Sequence, residues 1–141
     1  MEITSVFKTG VLNFQGCKYI HPEIEEKEKR KDQHTFRQNV IERYKTCLIT
    51  GCNYLVCEAC HIIPHEKCDE EIKYNVNNGL LLRADFHKLF DSNNLKINPN
   101  TLQIELSDKI LNDNTMIEYH QYNNKKINIH EKSVIFLNNI Y

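Results

Sequence analysis

No stretch of this 141-residue chain combines the length and apolar character needed to span a bilayer, and its N-terminus lacks the basic segment and long apolar run of a secretory signal. Those two absences lead to the expectation of an intracellular, soluble protein with no membrane partner. An excess of one charge is lacking too: 18 Lys and Arg stand against 19 Asp and Glu, a formal net charge of -1. Any attraction to nucleic acid must therefore come from a local patch rather than from the chain as a whole. The chain is also too short for two well-packed cores, so one compact domain with a loosely attached N-terminal segment is expected. No internal repeat stands out. Without an export signal, the six cysteines read as reduced core residues or metal ligands rather than as a disulfide framework.

What is present centres on "CEACHIIPH", Cys57 to His65. Its C-x-x-C-H start has the spacing of a haem attachment, a reading that also needs export, a distal ligand and an apolar haem pocket. Its cysteines, taken with Cys47 and Cys52, offer a structural zinc site. Only four residues separate those two pairs, whereas structural zinc usually draws its pairs from elements a dozen or more residues apart. Cys47 and Cys52 read more simply as packing around a turn, and His65 as a solvated loop histidine; Cys17 and Cys68 carry no signal.

The chain around it divides into short elements. "HPEIEEKEKRKDQHTFRQNVIERYKT" predicts a helix opened by Pro22, with Glu23, Glu25 and Glu26 where the helix dipole favours negative charge and Phe36, Val40, Ile41 and Tyr44 on one apolar face. The run Lys27 to Lys31 reads either as a solvated helix face or as a phosphate-contacting patch. "CLIT" and "YLVCEACHII" predict two strands paired through a turn at Gly51. After a polar loop, "GLLLR" predicts a short buried strand. "ADFHKLFDS" predicts a helix with Asp85 as N-cap and Phe86, Leu89 and Phe90 inward. "NLKINPNTLQIELS" has the alternation of a hairpin around Asn98-Pro99-Asn100, "MIEYHQYNNKKINIH" suggests a second around Asn123-Asn124, and "KSVIFLNNIY" is open between helix and strand.

The resulting order is a strand with His61, a loop, Asn78 leading into a second strand, and a helix carrying His87. His87 and Asp91 lie one helical turn apart, beside the apolar stripe, so an imidazole and a carboxylate can reach one cation together. With "FRQNVIERYKTCLITGC", "EACHIIPH" and "NNGLLLRADFHKLFDSNNLKI", and with the spacing of His61, Asn78 and His87, the chain resembles the HNH endonucleases, in particular the restriction-type branch. The resemblance covers roughly Phe36 to Leu106. It implies an α+β fold with a ββα-metal core, preceded here by an N-terminal helix and followed by C-terminal β-hairpins. The expected division is an N-terminal segment over 1-34 that holds the start of a helix, and a nuclease domain over 35-141 with its core at about 47-106.

Carried over position by position, the resemblance makes His61 the general base, Asn78 the amide that pins backbone and orients the histidine, His87 a metal ligand, and Asp91 its companion. An imidazole with an ordinary pKa of about 6.5 suits the base's task. DNA is the implied substrate, cut by metal-assisted hydrolysis, with Mg²⁺ or Mn²⁺ expected first and Zn²⁺ or Ni²⁺ as alternatives. One position departs from the family's pattern. Many relatives carry Asp or His just before the base, where this chain has Cys60, a poor donor for Mg²⁺ and a good one for Zn²⁺. Glu58, on the same strand face by alternation, can supply the missing hard oxygen, and Glu58 and Cys60 both stand as ligand candidates. The alternative function is a non-catalytic, zinc-stapled nucleic-acid-binding or adaptor module. No groove-entering element for base reading is evident, so specificity is expected from a homodimer or a partner subunit, if it exists.

Overall fold

The computed structural model describes residues 22-64 and 69-141, and the side chains from residue 30 onward within that range. The readings of the N-terminal sequence, of Cys17, of the charges from Glu23 to Lys29, and of His65 and Cys68 lie outside it. The chain divides into two units, Met1–Lys31 and Asp32–Tyr141, and every side chain discussed below belongs to the second.

Helix α1, Pro22–Tyr44, forms as its Pro-led start predicts. Its inner residues Phe36 and Val40 are fully buried, with Ile41 and Tyr44 packed at the edge of the same core. Strand β1, Cys57–His61, follows a single 3-10 turn at Tyr54–Val56. The next segments are a short helix α2, Glu70–Lys73, capped by the Asp69 carboxylate on the Ile72 N–H, and a 3-10 turn at Val76–Asn78. They lead into strand β2, Gly79–Arg83, and directly into helix α3, Ala84–Asp91. Then come strands β3, Leu95–Ile97, and β4, Ile104–Leu106, helix α4, Asp108–Leu111, a kinked 3-10 segment at Asn114–Tyr122, and helix α5, Glu131–Asn138.

β1 and β2 pair antiparallel, from Cys57 opposite Arg83 to His61 opposite Gly79. The continuous Leu80-Leu81-Leu82 run is buried on both faces, and this is why it shows no alternation. The partner of β1 is a correction to the sequence reading, which paired it with "CLIT". That stretch instead makes a turn, closed by the Cys47 N–H on the Cys52 carbonyl (2.9 Å) and the Gly51 N–H on the Cys47 carbonyl (2.9 Å). Gly51 sits at φ +77°, a left-handed conformation that favours glycine. Its Leu48 N–H is bonded to the Leu81 carbonyl, so the turn docks on β2.

α3 is amphipathic as expected, with Phe86, Leu89 and Phe90 inward. It ends in a Schellman motif: Asn93 takes φ +63°, its N–H reaches the Phe90 carbonyl, and the Asn94 N–H reaches the Leu89 carbonyl. Its start corrects a second expectation. Asp85 is not the cap; it lies in the first turn, held by Arg83 Nε and Nη2 (both 2.8 Å), the Phe86 N–H (3.0 Å) and the Tyr119 hydroxyl (2.8 Å). The Arg83 hydrogen bonds outweigh burial and hold the Asp85 carboxyl down at about 2. A depressed carboxyl contributes stability above its unfolded pKa of about 3.9, and that contribution is lost as pH falls through about 2. With both side chains a third exposed, solvent screening leaves about 1 kcal/mol. Asp85→Asn should therefore melt below wild type at pH 7, and thermal melts should converge as pH drops below about 4.

The β3–β4 hairpin forms as predicted, with Leu95, Ile97, Ile104 and Leu106 inward and Lys96 opposite Glu105 outward. The second predicted hairpin does not form. Its first half is the 3-10 segment, which sets Tyr119 and Tyr122 edge-on to Phe86 at 5.6 and 5.1 Å, and its second half gives only a Gln103–Lys126 bridge. Burying aromatic area against α3 takes the place of strand pairing there.

Candidate active site

His61 is the last residue of β1, and three neighbours fix it. Just beyond it the strand would leave unpaired backbone groups in a buried place. The fully buried Asn78 meets that need: its Oδ1 accepts from the Ile63 N–H (2.8 Å) and its Nδ2 donates to the Ile63 carbonyl (3.3 Å), while its own carbonyl accepts from the Ile62 N–H (2.8 Å). A side-chain amide suits the place because it presents one donor and one acceptor in the geometry of a backbone peptide. On its other side the His61 ring stacks on Phe36 of α1, with centroids 4.4 Å apart and planes 9° from parallel. Gly79, opposite His61, permits that approach, since a Cβ there would lie 2.5 Å from Val40 Cγ2 and 2.8 Å from Phe36 Cζ. Phe36 and Gly79 are the positioning residues that sequence reasoning missed. Phe36 read as ordinary core, and its helical spacing carried no sign of which ring it would cover.

The second half of the site is built between β1 and α3. Alternation along β1 puts Glu58 and Cys60 on one face, and α3 brings His87 and Asp91. His87 Nδ1 lies 2.6 Å from Glu58 Oε1, and its Nε2 lies 3.0 Å from Asp91 Oδ2. The donor atoms of Cys60, His87 and Asp91 all fall within 4.8 Å of one another. Cys60 is fully buried at the bottom, whereas the Asp91 side chain is 60% exposed at the rim. Burial first, and then the charges of Asp91 and Glu58, push the Cys60 thiol well above its ordinary range. A cation bound there would displace the proton of that sulfur to solvent.

A sulfur, an imidazole nitrogen and a carboxylate oxygen are a donor set that fits a divalent cation, and a borderline one such as Zn²⁺ better than Mg²⁺. Glu58 contacts the ring nitrogen of His87 that faces away from Asp91, as a carboxylate orienting a metal-bound histidine does. His61, His87 and Asp91 open into one cleft of about 840 Å³, which Lys96 and Tyr141 also line. Lys96 was not singled out from the sequence, although the Leu-Lys-Ile alternation of β3 already turned it outward.

Residues 47–98 match the family model for HNH endonucleases. The matched HNH segment holds His61, Asn78, His87, Asp91, Glu58 and Cys60, and its ββα order is that of β1, β2 and α3. It begins after Phe36 and Val40, so the helix that seats His61 lies outside it. Nuclease activity on nucleic acid with a bound metal ion is what this family supplies. No curated protein matches the chain. Among the described residues, no helix is long and apolar enough to cross a membrane.

The zinc alternative built on four cysteines is altered by the geometry of the HNH segment. Cys47, Cys52 and Cys57 cluster together, but Cys60 groups with His87 and Asp91. Three residues along a strand is an odd step, so Cys57 and Cys60 leave β1 on opposite faces.

Proposed function

We propose that this chain is a metal-dependent endonuclease that hydrolyses DNA phosphodiester bonds, with His61 as general base and a single divalent cation held by Cys60, His87 and Asp91. The observation that carries the reading is that His61, at the end of β1, and the α3 donors His87 and Asp91 open into the same cleft from different elements. A phosphate in that cleft would have a base on one side and a cation site on the other.

His61 takes a proton from the attacking water as the water oxygen bonds to phosphorus; the bond from phosphorus to O3′ breaks, and the leaving oxygen takes a proton from solvent. When bound, the cation stabilises the charge developing on the phosphate and the leaving oxygen. Glu58 holds the proton on His87 Nδ1 and so keeps Nε2 available as a donor. Asn78 and Phe36 hold the His61 ring in place, and Lys96 offers positive charge to the phosphate backbone. The buried sulfur of Cys60 turns the cation preference from Mg²⁺ and Mn²⁺ toward Zn²⁺ or Ni²⁺.

Plasmid DNA incubated with chelator-treated protein tests this. Nicking or linearisation should return with Zn²⁺ or Ni²⁺ and only weakly with Mg²⁺ or Mn²⁺, and His87→Ala should weaken cation binding by at least about tenfold. Full cleavage in excess chelator would overturn metal dependence.

A further inference from the structure

Among the described residues, the cysteines unused by the proposed chemistry converge, and none of them lines the cleft. We propose that Cys47, Cys52 and Cys57 form a second cation site, a three-thiolate centre for a thiophilic d¹⁰ ion, Zn²⁺ foremost, that staples the 47-52 turn to the start of β1. Their sulfurs all lie within 4.8 Å of one another. Zn–S bonds of about 2.3 Å place tetrahedrally arranged sulfurs about 3.8 Å apart, so a contraction of no more than about 1 Å brings all three onto one ion.

The backbone is arranged for charge on the Cys47 sulfur and a hydroxyl for charge on that of Cys52, while the Cys57 thiol donates to the Asn53 carbonyl (3.4 Å). Cys47 Sγ accepts from the N–H groups of Ile49 (3.4 Å), Thr50 (3.5 Å) and Arg83 (3.3 Å), and Cys52 Sγ accepts from the Thr50 hydroxyl (3.0 Å). A neutral thiol is a weak acceptor, and three peptide donors converging on one sulfur match a thiolate far better. Each sulfur releases its proton to solvent as its bond to the metal forms.

Access and coordination number also fit. Cys47 and Cys57 are buried and Cys52 is half-buried. The ion thus enters on the Cys52 side, where a water completes four-coordination. The site does not rest on the nuclease reading, because none of its ligands lines the cleft.

The test uses the full chain carrying Cys60→Ser and His87→Ala, which disables the other donor group. This protein should retain about one zinc per chain by mass spectrometry and show sulfur-to-metal charge-transfer absorption when loaded with Co²⁺. Adding Cys52→Ser, at a half-exposed position that tolerates the change, should weaken zinc binding by at least about tenfold and diminish that absorption. Zinc should also slow thiol modification in the Cys60→Ser, His87→Ala protein, a readout that needs no further substitution. Failure to retain zinc, unchanged binding after Cys52→Ser, or thiols that react equally fast with and without zinc would each overturn the site.

Discussion

Replacing His61 by alanine should slow DNA cleavage by about 10²- to 10⁴-fold, the usual share of a positioned general base. Cation affinity should hardly change, because the donor group formed by Cys60, His87 and Asp91 does not include His61. The ring's departure empties the space over Phe36, so some stability is lost as well, and circular dichroism must establish that the variant is folded. Comparing rates and cation binding in His61→Ala and His87→Ala then separates base from ligand. Equal loss of cation binding in the two proteins would make His61 a ligand and end its assignment as base.

Asn78→Asp should be the most damaging substitution in stability terms, about 3-5 kcal/mol near neutral pH. The new carboxylate would keep an acceptor for the Ile63 N–H but would place a negative oxygen against the Ile63 carbonyl in a fully buried position. Burial raises a carboxyl's pKa in the folded state. The protonated acid can donate to that carbonyl, so the variant should approach wild-type stability below an unfolded pKa of about 3.9 and lose it as pH rises toward the raised folded value. This is opposite in sign to Asp85, whose depressed carboxyl stabilises at high pH. Thermal melts across pH check both. An Asn78→Asp protein as stable as wild type at pH 7 would show that the amide does not pin the strand end.

Both effects depend on how β1 ends, and here sequence and structure divide the work in a definable way. Local periodicity made several elements legible. The face of α1, the alternation across β3 and β4, the buried stripe of α3 and the His61, Asn78, His87 order each follow from spacings within one short segment. They appear where they were expected because burying one face of a helix or strand is a local rule. Glu58 and Cys60 were placed on one face of β1 by the same rule, and His87 does contact Glu58.

What spacing could not show was which distant element each face would meet. "CLIT" and "GLLLR" are both short apolar runs able to pair with β1, and only packing decided between them, because a strand's hydrogen bonds are the same with any partner. Asp85 had the look of a cap and became the anchor of an Arg83–Tyr119 network, since residue 119 is remote in sequence. The segment at 114-122 read as half of a hairpin and instead forms 3-10 turns that pack Tyr119 and Tyr122 edge-on against the remote Phe86. By itself, then, the sequence determined the HNH order and the chemistry on offer at His61, Asn78, His87 and Asp91. The tertiary structure alone decided that Phe36 covers His61 and that one strand parts its cysteines, sending Cys60 to His87 and Asp91 and Cys57 to the thiol cluster. Those outcomes come from contacts between segments far apart in the chain, for which a linear spacing carries no signal.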